Sequence, residues 1–144
     1  MEPQTVACSD CVVLHRQGFE RVAFLFVAKH SGFPHLKTWQ AFFAGASTAA
    51  LYSLYVLAPV AHPRGSVELS KLHAIAKLRD IGATVLTMPT KSGLLDLSSL
   101  HFVRAIRVML RAALDDAAAS RFCLLPDWST PIYPFNVIHW KLLA

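Results

Sequence analysis

The best-known sequence signatures of nucleotide-binding and catalytic sites are missing from this chain. It contains no G-x-G-x-x-G turn, no G-x-x-x-x-G-K-[ST] phosphate loop, no G-x-S-x-G elbow, no H-E-x-x-H pair and no D-x-D. These absences exclude the dinucleotide-binding, P-loop, serine-hydrolase and zinc-protease classes as those motifs define them. A site must therefore be sought from the order of the structural elements, because no single motif marks one.

Cysteine is also scarce, with only Cys8, Cys11 and Cys123 in 144 residues. A structural zinc site needs about four ligands, and a redox C-x-x-C normally follows a strand and opens a helix. Cys8 and Cys11 form a C-x-x-C inside a short N-terminal lead instead. We expect a local disulfide or two free thiols at this pair, and no metal site.

Charged residues make up only 16% of the chain, and acidic residues are fewer than basic ones. Fourteen Lys and Arg against nine Asp and Glu give a net charge of +5, without any run of five basic residues. This balance either suits an anionic partner, such as a nucleotide or a phosphate, or is an incidental property of the surface. No RNA-binding motif accompanies it, so we predict no nucleic-acid partner.

Apolar runs of strand length alternate with helical patterns from Arg21 onward. With 54% hydrophobic residues, the chain is suited to one well-buried domain. The predicted strands are RVAFLFVA, LYSLYVL, ATVLTM and RFCLL, and each is followed by a helical pattern. Such alternation predicts an α/β fold, with a Rossmann-like parallel sheet of about four strands and flanking helices. We assign residues 1–20 to an irregular lead and residues 21–144 to this domain.

The helix before the fourth strand carries two distinct stripes. Its predicted apolar stripe, at helical spacing, faces the sheet and comprises Leu100, Val103, Ile106, Leu110 and Leu114. Three arginines, Arg104, Arg107 and Arg111, form a basic stripe on another face. We interpret the basic stripe as a solvated helix face.

The segment Ala41–Ala61 contains no charged residue and is long enough to cross a membrane. Gly45, Ser47 and Thr48 interrupt it, and its two ends continue a helical pattern and a strand pattern, respectively. We therefore predict the end of a helix followed by a strand in this segment, and see no membrane anchor.

A binding site is expected where the first and fourth strands end. In open parallel sheets, ligands bind beyond the carboxyl ends of the strands, where the strand order reverses. With the order 3-2-1-4, the crevice is flanked by two loops of the chain. The candidate site residues are Lys29, His30, Ser31 and Gly32 in the first loop and Asp127, Trp128 and Ser129 in the second.

The chemistry of the two loops differs. Ser31 and Gly32 precede a helix, whose free backbone N–H groups favour an anion, and Lys29 and His30 add donors. In the second loop, Asp127 receives a sugar or ribose hydroxyl, binds a metal, or hydrogen-bonds to backbone N–H groups of its own turn. Trp128 stacks on a base or sugar, or packs in the core. The residues alone leave these alternatives open.

Three stretches in order resemble the core-2/I-branching β-1,6-N-acetylglucosaminyltransferase family, particularly its plant and algal branch. They are RVAFLFVAKHSGFPHLKTWQAFF, LYSLYVLAP and RAIRVMLRAALDDAAASRFCLLPDWSTPIYPFNVI, which together span about residues 21 to 138. That branch reads similarly, with K-I-A-F-L-F-L-T-R-G-P-L-P, then W-x-x-F-F, and later R-F-x-L-L-S-E-S-C-I-P-L-Y-x-F. The last of these is the strongest match.

The resemblance implies the nucleotide-sugar half of a GT-A glycosyltransferase. The implied reaction is an inverting, metal-independent transfer of a sugar, N-acetylglucosamine for this family, from a UDP-sugar donor to a glycan acceptor. It also implies a Golgi setting, in which family members are membrane-anchored, although no anchor is seen here. A carboxylate base would deprotonate the acceptor hydroxyl. By resemblance, that base lies in a C-terminal half beyond this chain, so we expect a truncated form.

The chain departs from the family pattern at several positions. The family's T-R-G after the first strand is replaced by Ala28, Lys29 and His30, and S-E-S-C-I-P is replaced by the segment from Pro126 to Pro131. In that last loop, this chain keeps an acidic residue, Asp127, and the final proline, Pro131. An alternative to the glycosyltransferase is a non-catalytic α/β module that folds or acts only with a partner, suggested by the apolar end VIHWKLLA.

Overall fold

The computed structural model describes residues 20–28, 33–61, 69–90 and 99–144, so that the predicted lead lies outside the described residues except for Glu20. Strands and helices alternate as the sequence predicts. In chain order they are β1 (Arg21–Val27), α1 (Leu36–Ala44), a 3-10 turn (Ala49–Leu51), β2 (Tyr52–Ala61), α2 (Leu69–Asp80), β3 (Ala83–Thr90), α3 (Leu100–Leu114), β4 (Ala119–Pro126) and α4 (Phe135–Leu143).

The four strands form one parallel sheet in the order β3-β2-β1-β4. The predicted α/β class is confirmed, and the observed order is the one on which the expected binding site depends. β1 pairs with β2 on one side and with β4 on the other, and the last pairs on those two sides are Val27 with Leu57 and Val27 with Pro126. The order therefore reverses at β1, between the first and last strands of the chain.

β1 is buried on both faces, as its unbroken apolar sequence predicts. On one face, Val22, Phe24 and Phe26 pack against side chains of α1, α2 and α4. On the other face, Ala23 and Leu25 pack against α3. Three layers result, with α3 on one side of the sheet and the other three helices opposite.

An aromatic cluster fills the core between β1 and α1. Phe24 is 1% exposed and meets Phe42 and Phe43 edge-on, with ring centroids 5.8 and 5.2 Å away. Phe26 meets Trp39 in the same way at 4.7 Å. Edge-to-face contacts of this kind add to the stabilisation from burial alone, so this cluster fixes α1 on the sheet beside the carboxyl end of β1.

The flank of α3 that packs against the sheet is not the predicted one. Its buried residues are Ala105, Met109 and Ala113, whereas Leu100 and Leu114 of the predicted apolar stripe are each 65% exposed. The buried flank is displaced by one residue, or about 100° around the helix. Alanines let the helix approach the sheet closely, and the larger predicted residues stay at its margin.

The prolines of the second and third strands do not end them. The segment from Ala58 to Ala61, predicted as loop, continues β2 and pairs with β3. The Leu57 carbonyl accepts from the Ala28 N–H at 3.0 Å, so Pro59, two residues further, faces the same side, where β1 has ended. In a parallel ladder the next bond on that side would run from the nitrogen of residue 59 to the Ala28 carbonyl, so Pro59 ends the pairing of β2 with β1 while β2 continues against β3. Pro89 lies in the edge strand β3, where proline is tolerated.

The long uncharged segment is divided between several elements, as predicted. α1 ends at Ala44, a 3-10 turn follows, and β2 begins at Tyr52. Within the described ranges, none of the helices has the length and apolar character needed to traverse a lipid bilayer.

Arg21 ties the amino end of β1 to two distant parts of the chain. Its Nε donates to the Ala50 carbonyl and its Nη1 donates to Asp116 Oδ2, both at 2.9 Å. The backbone N–H of Ala118 donates to the other carboxylate oxygen at 3.1 Å. Burial disfavours ionisation of Asp116, but the Arg21 hydrogen bond, the Ala118 hydrogen bond and the Arg21 charge outweigh it. The pKa of Asp116 is consequently below its ordinary value of 3.8.

This ion pair predicts a stability that falls in acid. Because the folded pKa of Asp116 is depressed, its contribution is fully present above the unfolded value of about 3.9 and is lost as the pH falls through the folded value. Asp116→Asn should lower the free energy of unfolding by up to about 1 kcal/mol at pH 6, with a smaller effect at pH 3. Urea unfolding at both pH values measures this. The control is Asp115→Asn, since Asp115 is exposed and forms no ion pair in the described part of the chain. Equal losses at both pH values would contradict the prediction.

Candidate functional site

The candidate site lies at the carboxyl edge of the sheet, where β1 and β4 end side by side. α1 follows β1 on one face of the sheet, and α3, which leads into β4, lies on the opposite face. The strand order reverses between β1 and β4, and we call the space beyond their carboxyl ends the crevice. The helices that follow these two strands, α1 and α4, both lie on the same face of the sheet. Ligands of doubly wound sheets bind at this kind of switch point.

The turn after β4 is held by its own backbone and by β1. The Asp127 N–H donates to the Val27 carbonyl at 3.2 Å, which extends the contact between the two strands by one step. The Ser129 N–H and hydroxyl both donate to the Pro126 carbonyl, at 3.1 and 2.6 Å. The Ser129 hydroxyl therefore donates its proton within the turn, and its oxygen can still accept a hydrogen bond from a ligand.

The turn is also fastened to the aromatic core. Trp39 of α1 is 3% exposed, and its Nε1–H donates to the Ser129 carbonyl at 2.8 Å. A tryptophan N–H in a core normally finds an acceptor, and here the acceptor belongs to the candidate site. The position of residues 127–129 therefore depends directly on the packing of α1.

Asp127 is only 4% exposed. A buried carboxyl must be met by hydrogen-bond donors, and Asp127 makes further interactions within the protein. This burial fits an acid that shapes the loop better than one that meets a ligand from solvent. Its predicted role in binding a sugar or ribose hydroxyl stays a prediction.

Trp128 differs from its neighbour because it is 47% exposed. It borders a mostly apolar cavity of about 230 Å³ on the α3 side of the crevice. Two aromatic rings, Trp128 and Phe102 of α3, are among the side chains around this space. The lining residues are Val27, Phe102, Leu124, Leu125, Pro126 and Trp128.

The structure brings three of the predicted site residues together. Asp127, Trp128 and Ser129 follow β4 in one turn beside the end of β1. The other four, Lys29, His30, Ser31 and Gly32, lie outside the described residues, as do Cys8 and Cys11. Phe102 was not predicted, because its place in the cavity depends on how α3 is rotated against the sheet.

Metal and thiol chemistry find little support in the described part of the chain. None of its His, Cys, Asp and Glu side chains gather in threes that could hold a metal ion. Burial raises the pKa of the Cys123 thiol, so at neutral pH the group stays protonated and is a poor nucleophile.

Comparison with protein-family models, with curated proteins and with solved structures found no match for this chain. The likeness to the glycosyltransferase family rests on the three ordered sequence stretches and stays a prediction.

The basic stripe of α3 lines a second and larger cavity. Arg104, Arg107 and Arg111 surround a space of about 550 Å³ together with Met88 and Val108. All three arginines are exposed, as the interpretation of the stripe as a solvated helix face predicts, and the same stripe borders this space. The sequence showed three arginines at helical spacing, but it did not show that β3 supplies an opposing apolar wall.

Proposed function

We propose that this chain binds a UDP-sugar in the crevice between β1 and β4, as the nucleotide-sugar domain of a core-2/I-branching type glycosyltransferase. The observation that carries the proposal is the exposed Trp128 beside an apolar cavity at the switch point of a parallel sheet. Family resemblance supplies the identity of the donor, and the fold supplies a suitable place for it.

The cavity fits one part of the ligand. At about 230 Å³ it is smaller than the roughly 300–1,000 Å³ of pockets that enclose a whole small molecule. A flat uracil ring stacked on Trp128 is the part of a UDP-sugar that it suits.

The chain's own residues contribute binding and orientation in this proposal. Trp128 supplies a stacking surface, the Ser129 oxygen accepts a ligand hydrogen bond, and Asp127 holds the turn in shape. We assign no general base to these residues. The transfer step itself requires a carboxylate close to the acceptor hydroxyl, and the buried Asp127 does not meet that requirement.

Replacing Trp128 with alanine tests the proposal. Stacking of a base on an aromatic ring contributes about 1–3 kcal/mol, so Trp128→Ala should weaken UDP binding by about 5- to 150-fold. Isothermal titration calorimetry with UDP and with UDP-N-acetylglucosamine measures this. Trp128→Phe should retain much of the affinity, because it keeps a flat ring.

Trp140→Ala is the matched control, since Trp140 is 68% exposed on α4 and does not line the cavity. It should leave UDP binding unchanged. No heat with either ligand at millimolar concentration would refute donor binding and favour the alternative of a module that acts with a partner. That alternative now rests mainly on Trp140, because Ile138, Leu142 and Leu143 of the same segment pack against the core.

A further inference from the structure

A cavity lined by three arginines separates the edge strand β3 from α3. Arg104, Arg107 and Arg111 follow one another at intervals of three and four residues, so they share one flank of the helix. Val108 lies between them on that flank, and Met88 of β3 forms the opposite wall. The space of about 550 Å³ is within the range of small-molecule sites.

The three guanidinium groups lack acidic partners among the described residues. The ion pair found there joins Arg21 to Asp116, and Asp115, four residues after Arg111, forms none. Like charges three and four residues apart destabilise a helix. An anion in the cavity would remove that repulsion, and arginine forks suit phosphate oxygens because they donate two parallel hydrogen bonds.

β3 adds a second polar feature close to this cavity. Met88 packs towards α3, and Thr90, two residues further along the strand, shares its face. Thr90 is 7% exposed, and its hydroxyl has no hydrogen-bond partner within the described ranges. Buried hydroxyls are normally satisfied, so a partner for this one has still to be supplied.

The spacing of the arginines sets the size of the anion. From Arg104 to Arg111 the helix rises about 10 Å, which is more than one phosphate group can span. A ligand with two or more phosphates can meet all three side chains, while its organic part contacts Met88 and Val108. The arginines around this space are exposed, and its volume suits a small molecule.

We propose that this cavity binds a small organic molecule carrying two or more phosphate groups. It is separate from the UDP-sugar crevice, since Phe102 of α3 borders that crevice on another flank of the helix. The inference stands whether or not the chain binds a nucleotide sugar.

Titration with inorganic tripolyphosphate in magnesium-free, low-salt buffer tests this site. We expect saturable heat for one site, with inorganic monophosphate binding much more weakly. Arg107→Gln should weaken tripolyphosphate binding at least about tenfold, because it removes charge-assisted hydrogen bonds. The triple variant R104Q/R107Q/R111Q should abolish it.

A charge-matched triple variant, K37Q/R79Q/K141Q, is the control, because it removes the same charge from residues outside the cavity. It should keep the affinity within about twofold. Equal losses in both triple variants would show a general effect of net charge and overturn the proposal. Circular dichroism establishes that each variant is folded, and Arg107→Gln alone decides the matter if the arginine triple variant is not.

A single-stranded oligonucleotide serves as the competing probe. Binding that is tighter for longer oligonucleotides and is lost in the arginine triple variant would overturn the small-molecule proposal in favour of nucleic acid. The absence of oligonucleotide binding, together with saturable tripolyphosphate binding, would support it.

Discussion

Replacing Phe24 with alanine should lower the free energy of unfolding by about 3–5 kcal/mol, which is a large part of the stability of a domain of this size. Phe24 is 1% exposed and lies in the central strand. Its ring contacts those of Phe42, Phe43 and Phe135, which belong to two helices. The cavity left by alanine would be bordered by groups that cannot all relax into it. Chemical denaturation followed by circular dichroism measures the loss.

Phe122→Ala provides the matched control for this substitution. Phe122 also lies on a strand, but in the edge strand β4 on the other face of the sheet, and it is 38% exposed. Its loss should cost about 1 kcal/mol or less, because much of its surface is already in water. Similar losses for the two variants would refute the central place given to the aromatic cluster.

Trp39→Phe should lower the free energy of unfolding by about 2–4 kcal/mol and loosen the candidate site at the same time. The smaller ring leaves a void, and the Ser129 carbonyl loses its hydrogen bond from Nε1. Hydrogen exchange at the Ser129 amide should accelerate more than exchange in β1. If the proposed function is correct, UDP binding should weaken as well.

Phe43→Leu separates these two effects. Phe43 is as buried as Trp39 and stacks on it with ring centroids 5.8 Å apart, but it has no hydrogen bond to the turn. It should lower stability without selectively accelerating exchange at Ser129. If both variants loosen residues 127–129 equally, the tryptophan hydrogen bond does not position the site.

The sequence was sufficient to predict the parallel sheet, and the binding site at its carboxyl edge stays a prediction. Unbroken apolar runs such as that of β1 mark strands buried on both faces, and alternation with helices requires parallel pairing. The switch point then follows from the order of the strands. Asp127 and Trp128 were singled out because they come directly after an apolar run that predicts a buried strand. That strand, β4, is an edge strand of intermediate and exposed residues.

Features that depend on neighbouring elements were beyond sequence reasoning. Pro59 reads as a strand terminator, but it ends only the pairing with β1, and β2 continues against β3. The rotation of α3 is set by how closely Ala105 and Ala113 approach the sheet. The buried flank of α3 is displaced by one residue from the predicted one. As a result, Phe102 lines the cavity beside Trp128, and the arginines line the cavity beside Met88.

Because β1 pairs with β4, the shape of the crevice depends on contacts between residues that are far apart in the sequence. Arg21 and Asp116 are 95 positions apart, and Trp39 and Ser129 are 90 apart. Closing so long a loop costs entropy before its contacts form, so we expect this seam to form late in folding. The crevice lies on the seam itself, and it exists only after the chain has closed. A ligand held there would bind the folded state alone, and it would stabilise by mass action the contact that is hardest to make.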